Sequence, residues 1–225
     1  MADRFPLVVD STNNNLKELP SGDNLDLTGS GIKIGGTLTL GGVGVTGTLK
    51  TAGKESMWIP ATAMYPNTTN GCSALTQVEL ANGPELKCLD FDGGSTEESA
   101  QFTVAFPKSW NESTVTFQVF WTSSVAGTEG VSWGLQGVGI ANDASLNSSF
   151  SQAGVVVDDT KTNAVNDLLV SPESTSVTIP NAAADTLTIF QIYSDTDDGN
   201  DTDTSNDARL LGIKLFFTTD ATNDA

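Results

Sequence analysis

Residues 114–121 read TVTFQVFW. Side chains alternate sides along an extended chain, so Val115, Phe117, Val119 and Trp121 share one face and Thr114, Thr116 and Gln118 the other. That period of two predicts a strand with one buried face. Residues 186–193, TLTIFQIY, set Leu187, Ile189, Gln191 and Tyr193 against Thr188, Phe190 and Ile192. Both of its faces are partly apolar, as in a strand covered on both sides. Further candidate strands are 57–61, 75–80, 85–91, 100–106, 131–140, 154–158, 174–180 and 208–218, divided by turn clusters such as FDGGS, PKSWNES and SSVAGTEG. Only 142–150, opened by an Asn/Asp cap, and 162–170 carry helix signals. Many short strands with little helix predict an antiparallel β-sandwich, jelly-roll-like, over residues 55–225.

Charge separates this body from what precedes it. The chain of 225 residues carries −18, from 28 acids and 10 bases, with no His. Residues 1–54 balance five acids (Asp3, Asp10, Glu18, Asp23, Asp26) against five bases (Arg4, Lys17, Lys33, Lys50, Lys54), so residues 55–225 hold the whole excess. An acidic body repels phosphate backbones and anionic lipid, which argues against nucleic acid and membrane as partners. It suits a particle that stays soluble, including in salty water that screens the repulsion. No apolar run reaches the ~20 residues of a membrane helix, and MADRFPLVVDSTNNN lacks the basic start and apolar core of a signal peptide. The expectation is synthesis in a cytoplasm.

Residues 1–24 read as an extended arm with two apolar patches around a polar stretch. Phe5, Leu7, Val8, Leu16 and Leu19 are its candidate contacts with another protein. Neither patch is long enough for a stable helix or sheet by itself. Residues 25–54 contain LTGSGIKIGGTLTLGGVGVTGTLK, in which apolar pairs recur between Gly corners. Leu27, Ile32, Ile34, Leu38, Leu40, Val43 and Val45 form a face that the segment cannot bury alone. A flexible linker is the alternative, but linkers seldom carry regular Leu/Ile/Val pairs. The same segment from two other chains is the natural cover, making 25–54 the stalk of a homotrimer.

Chemistry is sparse. Without His there is no Ser-His-Asp or Cys-His arrangement, and no Gly-rich phosphate loop is present, so the chain reads as a non-enzyme. Asp90 and Asp92 would face the same way on a strand, roughly 7 Å apart, a spacing open to glycoside chemistry as well as to turn formation. Residues 194–207, SDTDDGNDTDTSND, hold Asp195, Asp197, Asp198, Asp201 and Asp203 without a base. Their oxygens suit Ca2+, a candidate cofactor, although the Gly sits too early for an EF-hand. A solvated acidic loop is the other reading. Trp121 and Trp133 fall on apolar faces, and Trp58 stands where the stalk meets the body. Trp110, in the turn PKSWNES, is the candidate for stacking on a glycan, with folding back onto the core as its alternative. Cys72 and Cys88 fit buried free thiols better than a disulfide. Sequons at Asn67, Asn111, Asn147 and Asn200 mark exposed turns.

The opening RFPLVVDSTNNNLKELPSGDNLDLTGSGI resembles a module found in virion proteins of marine bacteriophages. MWIPATAMYPNTTNG, AFPKSWNESTVTFQVFW, VSWGLQGVGI and ARLLGIKLFFTTDATNDA resemble the distal domain of the same group. The resemblance implies a trimeric virion fibre: a tail fibre that contributes to host-surface recognition, or a capsid-decorating fibre or spike. Residues 1–24 would then dock to other virion proteins, and the body would project toward a host glycan. A stalk of four strand pairs spans only a few tens of ångströms at ~3.3 Å per residue, so a short spike fits as well as a tail fibre. A carbohydrate-binding or carbohydrate-degrading module is the reading from another class.

Overall fold

The computed structural model describes residues 7–10, 15–18, 53–94, 96–150 and 153–221. The chain divides into two compact units, Met1–Thr46 and Gly47–Ala225. In the first, β1 (Leu7–Asp10) pairs antiparallel with β2 (Asn15–Glu18), with Leu7 opposite Glu18 and Asp10 opposite Asn15. The two apolar patches of the expected extended arm thus pair with each other, each supplying the ladder partner the other lacks. Phe5, Leu19 and every stalk position (Leu27, Ile32, Ile34, Leu38, Leu40, Val43 and Val45) lie outside the described residues.

The second unit is the antiparallel sandwich. Its strands are β3 (Gly53–Pro60), β4 (Tyr65–Pro66), β5 (Thr76–Glu79), β6 (Glu85–Phe91), β7 (Ser99–Ala105), β8 (Thr116–Ser123), β9 (Gly130–Ile140), β10 (Val155–Thr160), β11 (Leu169–Val170), β12 (Leu187–Ser194) and β13 (Ala208–Thr219). Among the described residues one sheet runs β10-β9-β12-β7-β4. The other runs β11-β8-β13-β6-β5, with β3 also on β13. Long β13 serves two partners on one side: Ala208–Leu210 pair with β6 and Gly212–Thr219 with β3. A bulge at Leu211 in its pairing with β8 divides the two stretches.

The alternation of TVTFQVFW is realised: Val115, Phe117, Val119 and Trp121 are buried. From the facing sheet come Phe102, Trp133, Leu135, Phe190 and Ile192. Aromatic edges lock the layers, with Trp133 T-shaped to Phe91 and centroids 5.1 Å apart. Trp133 also meets Trp121 at 6.1 Å. Each such side chain contributes roughly 1.5–3 kcal/mol on burial.

Three expectations fail for local reasons. Neither 142–150 nor 162–170 is helical; the one helix among the described residues is a 3-10 turn, Ala61–Ala63. Residues 141–149 are all exposed, so an amphipathic helix there would have no surface to pack on. Segment 174–180 is no regular strand, although it runs along β8. Ser171 Oγ accepts the Val119 N–H (2.9 Å) and Ser174 Oγ accepts the Phe117 N–H (3.0 Å). Hydroxyls thus stand where ladder carbonyls would be, and Pro172 between them has no N–H to donate. No described helix is long and apolar enough to cross a membrane.

Candidate functional site

Of four Trp, only Trp58 reaches the surface. Trp110 is 2% exposed and stacks on Phe106, centroids 4.2 Å apart. This corrects its reading as an exposed glycan platform: the turn folds the indole back into the core. Trp121 donates its Nε1–H to Asp159 at 2.8 Å, and Trp133 is fully buried. Trp58, at 49% exposure, lies on the outer face of the six-stranded sheet.

The acidic loop is not a gathered ligand set. Asp203 is buried, with Oδ2 2.5 Å from Lys161 Nζ; the two side chains are 2% and 1% exposed. Asn206 donates to its other oxygen at 3.2 Å. Asp201 accepts the Ser132 N–H, and burial pushes its carboxyl above the usual range. Asp198 accepts the Asn200 N–H, while burial and then the charges of Asp195 and Asp197 raise the Glu97 carboxyl. Among the described residues no group of three or more acidic or Cys side chains is placed to hold a metal. The expected calcium set Asp195, Asp197, Asp198, Asp201 and Asp203 is thereby corrected: the carboxylates of Asp198, Asp201 and Asp203 turn to separate partners and the five do not converge on one point. The missing base is Lys161, carried in from the end of β10.

Asp90 is likewise taken. It accepts from Thr76 Oγ1 (3.2 Å) and Cys88 Sγ (3.3 Å) and lies 3.6 Å from Arg209 Nε. Exposed Asp92 instead uses its N–H on Glu98. The pair considered for glycoside chemistry is thus split between two networks. Cys72 and Cys88 are buried free thiols; burial, then the Glu98 charge, push Cys72 up to about 12.

The outer face of the five-stranded sheet holds the best-built polar surface. Register places Tyr65, Gln101, Gln191 and Gln136 in one rung across β4, β7, β12 and β9. Phe190 and Ile192 face the core, so their neighbours Gln191 and Tyr193 face out. Gln191 Oε1 accepts from Asn67 Nδ2 (3.1 Å) and Gln101 Nε2 (3.4 Å). Tyr65 is 51% exposed and borders a groove of about 260 Å³ with Pro66, Asn67, Thr68, Thr69 and Gln101. In the next rung the Tyr193 ring lies over Gly134 and under Gly154, where an added Cβ would come within 2.1 Å of it. Burial, then Asp195 and Glu97, raise its hydroxyl to about 12.

No protein-family profile and no curated protein matches the chain. Solved structures do. One is the C-terminal CBM6 of LamC, a marine laminarinase from Zobellia galactanivorans, at 14% identity and TM-score 0.37, covering 72% of this chain and 98% of that one. Another is CBM28, a carbohydrate-binding module specific for non-crystalline cellulose, at 18% identity and TM-score 0.38, covering 73% and 88%. A third, from work on the promiscuous specificity of carbohydrate-binding modules of the β-sandwich superfamily, has 11% identity, TM-score 0.26 and coverage of 78% and 58%.

Proposed function

We propose that the sandwich is a non-catalytic carbohydrate-binding domain whose cleft is the outer face of the five-stranded sheet. The observation that carries this reading is the rung Tyr65–Gln101–Gln191–Gln136. Side-chain amides both donate and accept, as sugar hydroxyls require, and a half-exposed Tyr ring offers a face to a pyranose. The rung spans three strand spacings, roughly 14 Å at ~4.8 Å each, which suits a short stretch of chain. It holds no charged residue, so the ligand is neutral. Affinity electrophoresis in gels containing hydroxyethylcellulose or a soluble β-glucan tests this. Retardation of the full chain, reduced at least tenfold in affinity by Gln191→Ala and by Tyr65→Ala, is expected. Equal retardation of both variants, or none of the wild type, refutes it.

A second reading makes this domain the distal part of a homotrimeric bacteriophage fibre, on tail or capsid, docked through residues 1–24. What supports it is the sequence resemblance of the opening segment and of the body. Sedimentation equilibrium of the full chain should give a trimer that Ile34→Asp dissociates; a wild-type monomer at micromolar concentration removes this reading.

A further inference from the structure

The six-stranded sheet has an outer face that the cleft does not use. Register sets Trp58, Lys214 and Gln118 in one rung, and Ser56, Phe216 and Thr116 in the next. Trp58 meets Phe120 edge-on, centroids 5.1 Å apart. It lies where a Cβ on Gly212 would come within 2.6 Å of the indole. The glycine therefore leaves the space this large ring occupies, and the ring remains 49% exposed.

Two ammonium groups converge over Phe216 in the neighbouring rung. Lys54 Nζ and Lys214 Nζ lie 4.6 and 5.1 Å from the centroid of Phe216. Lys54 is also bonded to Glu173. Lys214 has no carboxylate partner among the described residues. Lys87 and Lys108 share that condition among the described residues, but Lys214 is the one that stands in a rung with an exposed indole. Charges act over about 8 Å at physiological ionic strength. The acid near this face is Glu173, which bonds Lys54 and accepts from Thr116 in the next rung, so Lys54, Lys214 and Glu173 together leave a net positive charge beside a small ligand.

We propose that Trp58, Lys214 and Gln118 form a second site, for an acidic sugar residue such as a uronate. The ring stacks on Trp58, the carboxylate pairs with Lys214, and a hydroxyl donates to Gln118 Oε1, the Gln118 Nε2–H being held by the Ser171 carbonyl at 3.0 Å. This site is independent of the neutral-glycan cleft on the other sheet.

Trp58 is the exposed indole, so its emission reports occupancy. Titration of the full chain with trigalacturonate should shift Trp emission, and cellotriose should not reproduce the shift. Lys214→Gln should raise the Kd at least tenfold, and Trp58→Phe should remove most of the signal. Gln191→Ala should leave the titration unchanged, which separates this site from the cleft. The proposal is overturned by an equal response to acidic and neutral trisaccharides, by no response at millimolar ligand, or by wild-type affinity in Lys214→Gln. It also falls if Trp58→Phe changes the sedimentation coefficient of the ligand-free chain, since the face then belongs to a subunit contact.

Discussion

At the scale of single residues, the Lys161–Asp203 pair sets the behaviour of the acidic loop. Both side chains are out of water, so each depends on the other. Lys161→Met would strand a buried carboxylate, at a cost of about 3–5 kcal/mol. For a domain of this size 1 kcal/mol moves Tm by about 2–4 °C, so a fall on the order of 10 °C is expected by calorimetry. The double variant Lys161→Met/Asp203→Leu should recover much of that loss, because no lone charge remains. A chelator should leave Tm unchanged; a chelator-induced drop would restore the calcium reading of this loop. Gln191 belongs to the same scale, since its carbonyl gathers the Asn67 and Gln101 amides and sets how the cleft presents donors.

At the scale of elements, the edge of β8 is closed by two-residue β11 and, beyond it, by a segment that is not a strand. Ser171 and Ser174 hydroxyls accept the Val119 and Phe117 N–H groups. Loss of either leaves a buried donor without a partner, costing about 1–3 kcal/mol. Ser171→Ala and Ser174→Ala should each lower the urea midpoint, and together should raise aggregation by uncovering an edge. Unchanged midpoints would show that water replaces the hydroxyls. The strand pattern was legible because alternation is local: 85–91 matches β6, and the buried face of 114–121 is where periodicity put it, whereas 186–193, expected to be covered on both sides, buries only the face of Thr188, Phe190 and Ile192 and leaves Leu187 exposed. Two-residue β4 and β11 left no such signal, being too short to alternate, yet β4 carries the exposed Tyr of the cleft.

At the scale of the molecule, charge makes stability depend on pH. Glu97, Glu98, Asp201 and Asp207 are all raised above the usual carboxylate range, with burial the largest cause in each. The folded chain thus binds protons at these groups more tightly than the unfolded chain. Their contribution is complete below the unfolded pKa values, about 4, and is lost as pH rises through the folded ones. Glu129 and Glu173 are lowered and act in the opposite sense, through contacts at the surface. Tm at pH 5 should therefore exceed Tm at pH 7.5 in low salt; a lower value at pH 5 would show that other carboxylates dominate.

The sequence by itself determined the class of fold, the excess of acid over residues 55–225 and the buried face of strands such as 114–121. Those follow from alternation, turn residues and charge counted along the chain, all short-range properties. Tertiary structure alone decided the surfaces. Tyr65, Gln101, Gln191 and Gln136 stand far apart in the chain and meet only through strand order. The exposed indole is Trp58 and not Trp110, because one ring lies over Gly212 on an outer face and the other turns inward onto Phe106. The acidic loop, baseless when read in order, receives Lys161 from β10. Alternation tells which side chains share a side of one strand; which strands lie next to each other, and what then covers each side, is set by the packing of the two sheets.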